Sequence, residues 1–537
     1  MGDCGADRGS NSWRGAARIA DFTAEKRGRW AGVVSSENRA PAGAGSSVGQ
    51  PSAHAAGDGI GPEIMAATLE LFAAAGVSKL VEFVPVEMGE AIFARGNTRG
   101  MTDEAIRVVE DLGVLFKGPM ATPTGGGGKS INVTARKMWS AYANYRHFRT
   151  LPGVVTPYSQ AGIQLDFAIV RENIEDTYGG IEHRLSNDVM VAKRIITAPG
   201  CDEVLRFAFE TAKRMGIDTV HCSHKANIMK MTDGLFLERF RTMALEYPGI
   251  AAPDVIVDAL CMNLVMKPSQ YKMVVLTNLQ GDIVSDLAAG LVGGLGFAPS
   301  ANIGRNISIF EAVHGTAPDI AGKGIANPTA LVLSGLMMLR HIGLEKQAAT
   351  IENALLTALE DGAHTGDFGD RSKPTLNTHA FVKEITARLG QEPKTVKPAP
   401  AGTSDRITRV ANPKPESALV MRTFTDVKKE VAGLDVYVEA VHPAVDTAVH
   451  MQQLCAASPF QITLVSCRGM QVWPRGSAFT ECVDYWRVRF ELRDGRTATQ
   501  ADAIALLGII AQHAVVSEYE LLRTYNGVRG WTLAQGQ

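Results

Sequence analysis

Gly57-Asp58-Gly59-Ile60-Gly61-Pro62-Glu63 decides how the long central part of this chain is read. Its glycines supply a tight turn, and Pro62 then stands where a helix starts, because proline's fixed φ and missing N–H suit the first helical turn. The heptapeptide is not the dinucleotide fingerprint Gly-x-Gly-x-x-Gly, since Pro62 takes the last glycine's place. Gly294-Leu295-Gly296 fails in the same way at Pro299. Gly128-Lys129-Ser130 is not the end of a P-loop, because the required first glycine falls on Pro123. No standard nucleotide fold is supported.

From Gly57 to about Gly390, apolar β-branched runs alternate with helical patterns. Leu165 to Val170, Val255-Ile256-Val257 and Met273 to Leu276 are strand-like, whereas Cys201 to Met215 and Thr232 to Glu246 carry the helical period. The alternation predicts an α/β architecture with a largely parallel sheet. The densest apolar run, Ala330 to Leu339, is too short to span a bilayer and reads as a buried helix.

Four segments follow. Residues 1–50, rich in Gly, Ser, Ala and Arg, read as a disordered or targeting lead, and Asp3, Asp7, Asp21, Glu25 and Glu37 argue against targeting. Residues 51–390 form the α/β body, and 391–429 a stiff linker marked by Pro393, Pro398, Pro400, Pro413 and Pro415. Residues 430–537 form a small α/β module: strand Leu434–Val438, helix Pro443–Ala456, strands Phe460–Ser466 and Val483–Leu492, and helix Gln500–Val516. Trp473, Trp486 and Tyr485 are expected to fill its core or an interface.

The 537 residues allow about three to five domain-sized units. Lys+Arg 54 against Asp+Glu 56 leaves a net charge of −2, which excludes binding to nucleic acid or a membrane through bulk charge. Seven cysteines without a Cys-x-x-Cys argue against a disulfide framework or a thiolate zinc site, and for a reducing compartment such as the cytoplasm or mitochondrial matrix.

Two clusters suggest chemistry. In Asn278-Leu279-Gln280-Gly281-Asp282-Ile283-Val284-Ser285-Asp286 the two aspartates stand i,i+4 on one helix face. Like-charge repulsion favours a cation between them, and all-oxygen donors suit Mg²⁺ or Mn²⁺. The competing reading is a solvated helix start, where Asp complements the dipole. Arg136, Arg146 and Arg171 suit a substrate with several carboxylates, although an isolated arginine more often makes a structural ion pair.

Together, the heptapeptide, Asn-x-x-Gly-Asp-x-x-Ser-Asp and the glycines at 290, 293, 294 and 296 resemble the β-decarboxylating dehydrogenases. The resemblance implies an isocitrate/isopropylmalate dehydrogenase-like two-domain fold, which is not Rossmann-like, with an appended C-terminal domain. It implies metal ligands at Asp282 and Asp286, with Asp258 reaching in from the other chain of a homodimer with shared active sites. Ser130-x-Asn132-x-x-x-Arg136 is similar to the element with which isocitrate dehydrogenases hold the third carboxylate of isocitrate; Arg136, Arg146 and Arg171 take the others. Arg171-Glu172-Asn173-Ile174-Glu175-Asp176-Thr177-Tyr178 carries the family's catalytic tyrosine at Tyr178, and His224-Lys225-Ala226-Asn227 its catalytic lysine at Lys225. One departure is Pro51-Ser52-Ala53-His54-Ala55-Ala56, poor strand material where the family has an apolar first strand.

His314-Gly315-Thr316-Ala317-Pro318 resembles the family's adenosine-binding loop, with Thr122 and Asn327 beside it. NADP-linked enzymes of this kind usually continue with Lys-Tyr and carry a later Tyr and Arg for the 2′-phosphate. This chain has Asp319-Ile320, and Thr378 and Val382 at the later positions. A carboxylate accepts from a ribose 2′-OH and repels a 2′-phosphate, so Asp319 argues for NAD over NADP. The expected reaction is oxidative decarboxylation of isocitrate to 2-oxoglutarate. Its rivals are 3-isopropylmalate or tartrate oxidation, and a non-catalytic role as a regulatory subunit.

Overall fold

In the computed structural model the described residues are 50–122, 129–370, 372–402, 427–477, 479–535 and 537. The expected lead except its last residue, the P-loop-like stretch up to Gly128 and most of the linker lie outside them.

The body is organised on strands β1 (Gln50–Ala55), β2 (Val81–Pro85), β3 (Val114–Lys117), β4 (Ala143–Arg149), β5 (Asp166–Glu172), a hairpin of β6 (Glu182–Arg184) and β7 (Met190–Ala192), then β8 (Val220–His224), β9 (Asp254–Ile256), β10 (Met273–Leu276), β11 (Pro299–Ile303) and β12 (Ser308–Ala312). Ten of them form one sheet in the order β2-β1-β3-β12-β11-β4-β5-β10-β8-β9. The sheet is largely parallel, as expected, with an antiparallel centre: β12–β11, β11–β4 and β4–β5 are antiparallel and the other pairings are parallel. Val257 opens the helix Val257–Met266 instead of ending a strand.

The first strand corrects the propensity reading. Ser52, Ala53 and Ala55 are buried, and the two alanines pack with Ala105, Ile106 and Val109 of the helix Asp103–Leu112. Small side chains let that helix approach, and ladder bonds to β2 and β3 outweigh weak intrinsic preference. Pro51 lies where β1 pairs with β2 alone, so its missing N–H costs no second ladder.

The helix Thr329–His341 is buried along its whole length, as its composition predicts. Among the described residues no helix is long and apolar enough to cross a membrane. The start of the linker is not a free spacer. The Glu360 carboxylate accepts from the backbone N–H groups of Lys394, Thr395 and Val396, and Asn353 accepts from that of Ala399.

The C-terminal module is a six-stranded sheet, β15-β14-β16-β13-β17-β18, built from β13 (Lys429–Glu439), β14 (Phe460–Cys467), β15 (Met470–Trp473), β16 (Tyr485–Leu492), β17 (Val515–Tyr525) and β18 (Val528–Arg529). Helices Ala444–Leu454 and Gln500–Ala511 share its core with Val436, Trp486 and Phe490. The second helix stops at Ala511 rather than Val516, because Val515 and Val516 are taken by the β13 ladder. Tyr485 stacks on Tyr437 at 5.5 Å between ring centres. The module touches the β6–β7 hairpin region: Ser186 donates to Asp484 at 2.7 Å, and Lys193 pairs with Glu518 at 2.7 Å.

Inside this module Arg489 grips Asp435 bidentately, both bonds 2.8 Å, and both side chains are buried. Removing one partner strands the other charge. Asp435→Ala is expected to lower the module's stability by about 3–5 kcal/mol. Scanning calorimetry reads this as a downward shift of the module's transition, and an unshifted profile refutes it.

Candidate active site

The heptapeptide turn organises the loops around it. Gly59 has φ +57°, and a Cβ there would lie 2.1 Å from the Thr316 carbonyl oxygen, so only glycine fits. Ile60 N–H donates to that same oxygen at 2.9 Å. The Asp58 carboxylate accepts from the backbone N–H groups of Glu90 and Ala121. The turn thus holds Thr122 and Thr316, both expected at the cofactor, on either side of the N-terminus of the helix Gly61–Ala74.

Strand register gathers the arginines. In the antiparallel β4–β5 pair Asn144 faces Arg171 and Arg146 faces Ile169, so Arg146 and Arg171 emerge diagonally on one face. Arg171 lies against the helix Asn278–Leu291: its Nε and Nη2 donate to Asn278 at 3.0 and 2.7 Å, and its Nη1 to Asp282. A Cβ on Gly281 would stand 2.7 Å from the Arg171 side chain, so this glycine makes room for it. Arg146 donates to Ser285 at 2.6 Å and lies 3.5 Å from Asp282 and 3.6 Å from Asp286.

Arg136 comes from the helix Ile131–Met138, N-capped by Ser130, whose hydroxyl is 3.0 Å from that of Thr122. Asn132 and Arg136 stand i,i+4 on that helix. Arg136 donates to buried Glu311 at 2.8 Å, and Lys117 pairs with the other carboxylate oxygen while donating to Asn132 at 2.7 Å. All three arginines therefore have carboxylate partners, so the structural ion pair and the convergent site coexist. Sequence assigns no role to Lys117, Glu311 or Asn278.

Asp282 is the centre of the cluster. Burial works to raise its pKa, but the Arg171 and Arg146 charges and the Tyr178 hydroxyl outweigh burial and hold it below the ordinary carboxylate value. Asp286 goes the other way, pushed up by burial and then by Asp282. This helix face suits a hard divalent cation, because it offers two oxygen donors, one of them destabilised as an anion. No group of three acidic, His or Cys side chains able to hold a metal exists among the described residues. Asp258 lies elsewhere, paired with Lys225, and no hydrogen bond or ion pair among the described residues joins them to Tyr178, Asp282 or Asp286.

Tyr178 sits on the short turn Thr177–Gly179, its hydroxyl on Asp282 and its ring 4.9 Å from the Arg171 guanidinium carbon. Burial, then the bond to Asp282, raises its pKa, so it keeps its proton at neutral pH. The preceding Asp176 has φ +69°, unusual for a non-glycine residue. Arg194, another residue that no motif singles out, holds it there: Nε donates to Asp176 at 2.6 Å, Nη2 to Thr277 at 3.1 Å and Nη1 to buried Asp233. Asp233 in turn accepts from the Lys225 N–H at 2.6 Å.

In the loop expected to meet adenosine, Nδ1 of His314 is 2.9 Å from the Gly315 carbonyl, while its buried Nε2 has no partner among the described residues. Burial lowers its pKa, so the ring is neutral and free for a ligand contact. Ala317 has φ +41° and leads into the turn Pro318–Ile320, where Asp319 is exposed. Asn327 spends its amide on Asp367 and on the Thr329 N–H, both at 3.0 Å. Thr378 and Val382 are fully buried, and Thr378 donates to the Ala326 carbonyl at 2.7 Å.

Fold and site define an α/β body whose central strands and helices bring three arginines beside two aspartates one helical turn apart. Residues 53–385 match the isocitrate/isopropylmalate dehydrogenase family model, and residues 429–537 match that of the bacterial isocitrate dehydrogenase C-terminal domain. The chain belongs to the isocitrate/isopropylmalate dehydrogenase family. It is 40% identical, over 90% of its length and 95% of the relative's, to an isocitrate dehydrogenase [NADP] of Thermus thermophilus. It is 45% identical, over 62% of its length and 92% of the relative's, to a mitochondrial isocitrate dehydrogenase [NAD] regulatory subunit of Dictyostelium discoideum. The solved TT0538 protein of Thermus thermophilus superposes with a TM-score of 0.83 at 38% identity, covering 91% of this chain and 96% of that one. An isocitrate dehydrogenase of Methylococcus capsulatus gives 0.60 at 41% identity, covering 64% and 100%.

Glu311 carries the clearest stability prediction. Burial would raise its pKa, but Lys117 and Arg136 hold it far below the usual range. The folded value is depressed, so its stabilising contribution is complete above the unfolded value near 4.5 and is lost as pH falls through the folded one. Glu311→Gln leaves Lys117 buried and unpaired, and is expected to cost about 3–5 kcal/mol at pH 7. The deficit relative to wild type should shrink on acidification in urea melts; a constant deficit refutes the assignment.

Proposed function

We propose that the chain oxidises isocitrate and releases its β-carboxylate as CO₂, giving 2-oxoglutarate and a reduced nicotinamide dinucleotide. The observation that carries this reading is the convergence of Arg136, Arg146, Arg171 and the Tyr178 hydroxyl around the Asp282/Asp286 face. Three guanidiniums suit a tricarboxylate, and Ser130 and Asn132, on the helix that carries Arg136, favour isocitrate over an alkyl-bearing malate. The names of the relatives support the same substrate.

Within this reading the arginines orient the substrate so that the C2 hydride faces the nicotinamide and the 2-hydroxyl faces the aspartates. Asp282 and Asp286, with Asp258 of a second copy, would hold Mg²⁺ or Mn²⁺, which would supply positive charge beside the hydroxyl oxygen. As CO₂ leaves, its bonding electron pair remains on the substrate as the enolate, whose carbon takes a proton. Tyr178 suits that donation because burial and Asp282 hold it protonated while the Arg171 charge favours release of the proton, and Lys225 of the second copy suits its reprotonation. A homodimer with shared sites is supported by the separation of Lys225 and Asp258 from Tyr178 and Asp282. It is also supported by the exposed apolar face that Met262, Val265, Met266, Leu279 and Ile283 form on two packed helices.

For the cofactor, the NADP in the names of the full-length relatives supports NADP. A local observation favours NAD: Asp319 is exposed in the adenosine loop, and Thr378 and Val382 are buried where a 2′-phosphate would need cations. Steady-state kinetics with both cofactors decide between them. A kcat/KM at least tenfold higher for NAD is expected if Asp319 governs the choice; a higher value for NADP retires that role. Tyr178→Phe is expected to lower kcat by about 10²–10⁴-fold with KM for isocitrate changed only a few-fold. Near-normal turnover would remove Tyr178 from the proton step.

A further inference from the structure

A cavity of about 480 Å³ lies away from the site described above. Side chains alternate along β4, so Arg146 points to the face of the helix Asn278–Leu291, while Tyr145, His147 and Arg149 point to the opposite face and line the cavity. Its floor is apolar, made by Leu333, Leu336 and Met337 of the buried helix together with Phe297. Its outer wall is the anchored linker segment Lys397 to Pro400. The wall is therefore already in place without a ligand.

The charge in this cavity is unbalanced. Arg149 and Arg340 both spend bonds on one buried carboxylate, Glu352, so two guanidiniums share a single negative charge. Burial would raise the Glu352 pKa, but Arg149 and Arg340 hold it at about 2, so it is a carboxylate under all working conditions. Arg340 is 7% exposed, and its Nε has no hydrogen-bond partner among the described residues. A buried donor left without an acceptor is costly, which marks a place for an incoming oxygen. At the rim, Asp166 bonds His147 at 2.7 Å and also feels the Arg149 and Lys272 charges, so one carboxylate faces several cations, while Lys397 makes no ion pair among the described residues.

We propose that this cavity binds a small organic carboxylate, its apolar body on Leu333, Leu336 and Met337 and its carboxylate among Arg340, Lys272 and Lys397. Size, an apolar floor and a few convergent cations are the features of a small-molecule site, and guanidinium and ammonium groups select an anion. The site is independent of the substrate arginines, which lie across the sheet.

The test is calorimetric titration of the full chain with 4-phenylbutyrate, in the presence of saturating isocitrate and Mg²⁺ without nicotinamide cofactor, so that the substrate arginines are occupied. Saturable binding of one molecule per chain is expected, with 4-phenylbutanol and inorganic phosphate each at least tenfold weaker. The exposed double variant K272E/K397E should weaken 4-phenylbutyrate at least tenfold while kcat and KM for isocitrate stay unchanged. The proposal is overturned by equal binding of the alcohol, by affinity that the double variant leaves intact, or by the absence of saturable binding.

Discussion

One guanidinium ties the candidate site together. Arg194 bridges two fully buried carboxylates, Asp176 and Asp233, and reaches Thr277 at the start of the helix that carries Asp282 and Asp286. Two buried anions would repel and would each pay heavily for lost solvent without a shared cation. With it, three chain segments distant in sequence acquire fixed relative positions: the Tyr178 turn, the loop of Lys225 and the N-terminus of the carboxylate helix. The positive-φ backbone of Asp176 persists because its side chain is over-determined, accepting from Arg194 as well as from the Thr177 and Leu279 N–H groups. The position of Tyr178 against Asp282 therefore depends on a residue that touches neither.

What could be read from sequence follows from the range of each interaction. Elements with a local signature were legible: the glycine turn with Pro62, the fully apolar helix Thr329–His341, and Asp282 and Asp286 one turn apart. Elements decided by tertiary context were not. The first strand has alanine, serine and proline where propensity asks for branched side chains, and it forms because neighbours on both sides and a close helix reward small residues. The start of the long strand Val515–Tyr525 reads in sequence as the end of a helix, since a short apolar run carries both periods equally well.

The site divides the same way. Residues inside motifs could be named, but their partners could not. Lys117 and Glu311 are opposite one another in the parallel β3–β12 register, far apart in the chain and with no local pattern around either. The arginines were legible as cations, while their engagement with Asp282, Asp286 and Glu311 depends on strand pairing that no window of sequence contains. This is also why counting arginines decides nothing: an ion pair within the protein is compatible with carboxylate binding when a ligand competes for the same guanidiniums.

The modest composition of β1 has a further consequence. This strand is made before either of the strands that flank it, so during synthesis its backbone groups wait unpaired until residues 81–85 and 114–117 have followed. An interior strand rich in valine and isoleucine would be a template for wrong pairing between nascent chains during that interval. A segment of proline, serine, alanine and histidine has little tendency to associate on its own. What makes β1 hard to recognise also guards it against aggregation until its proper neighbours arrive.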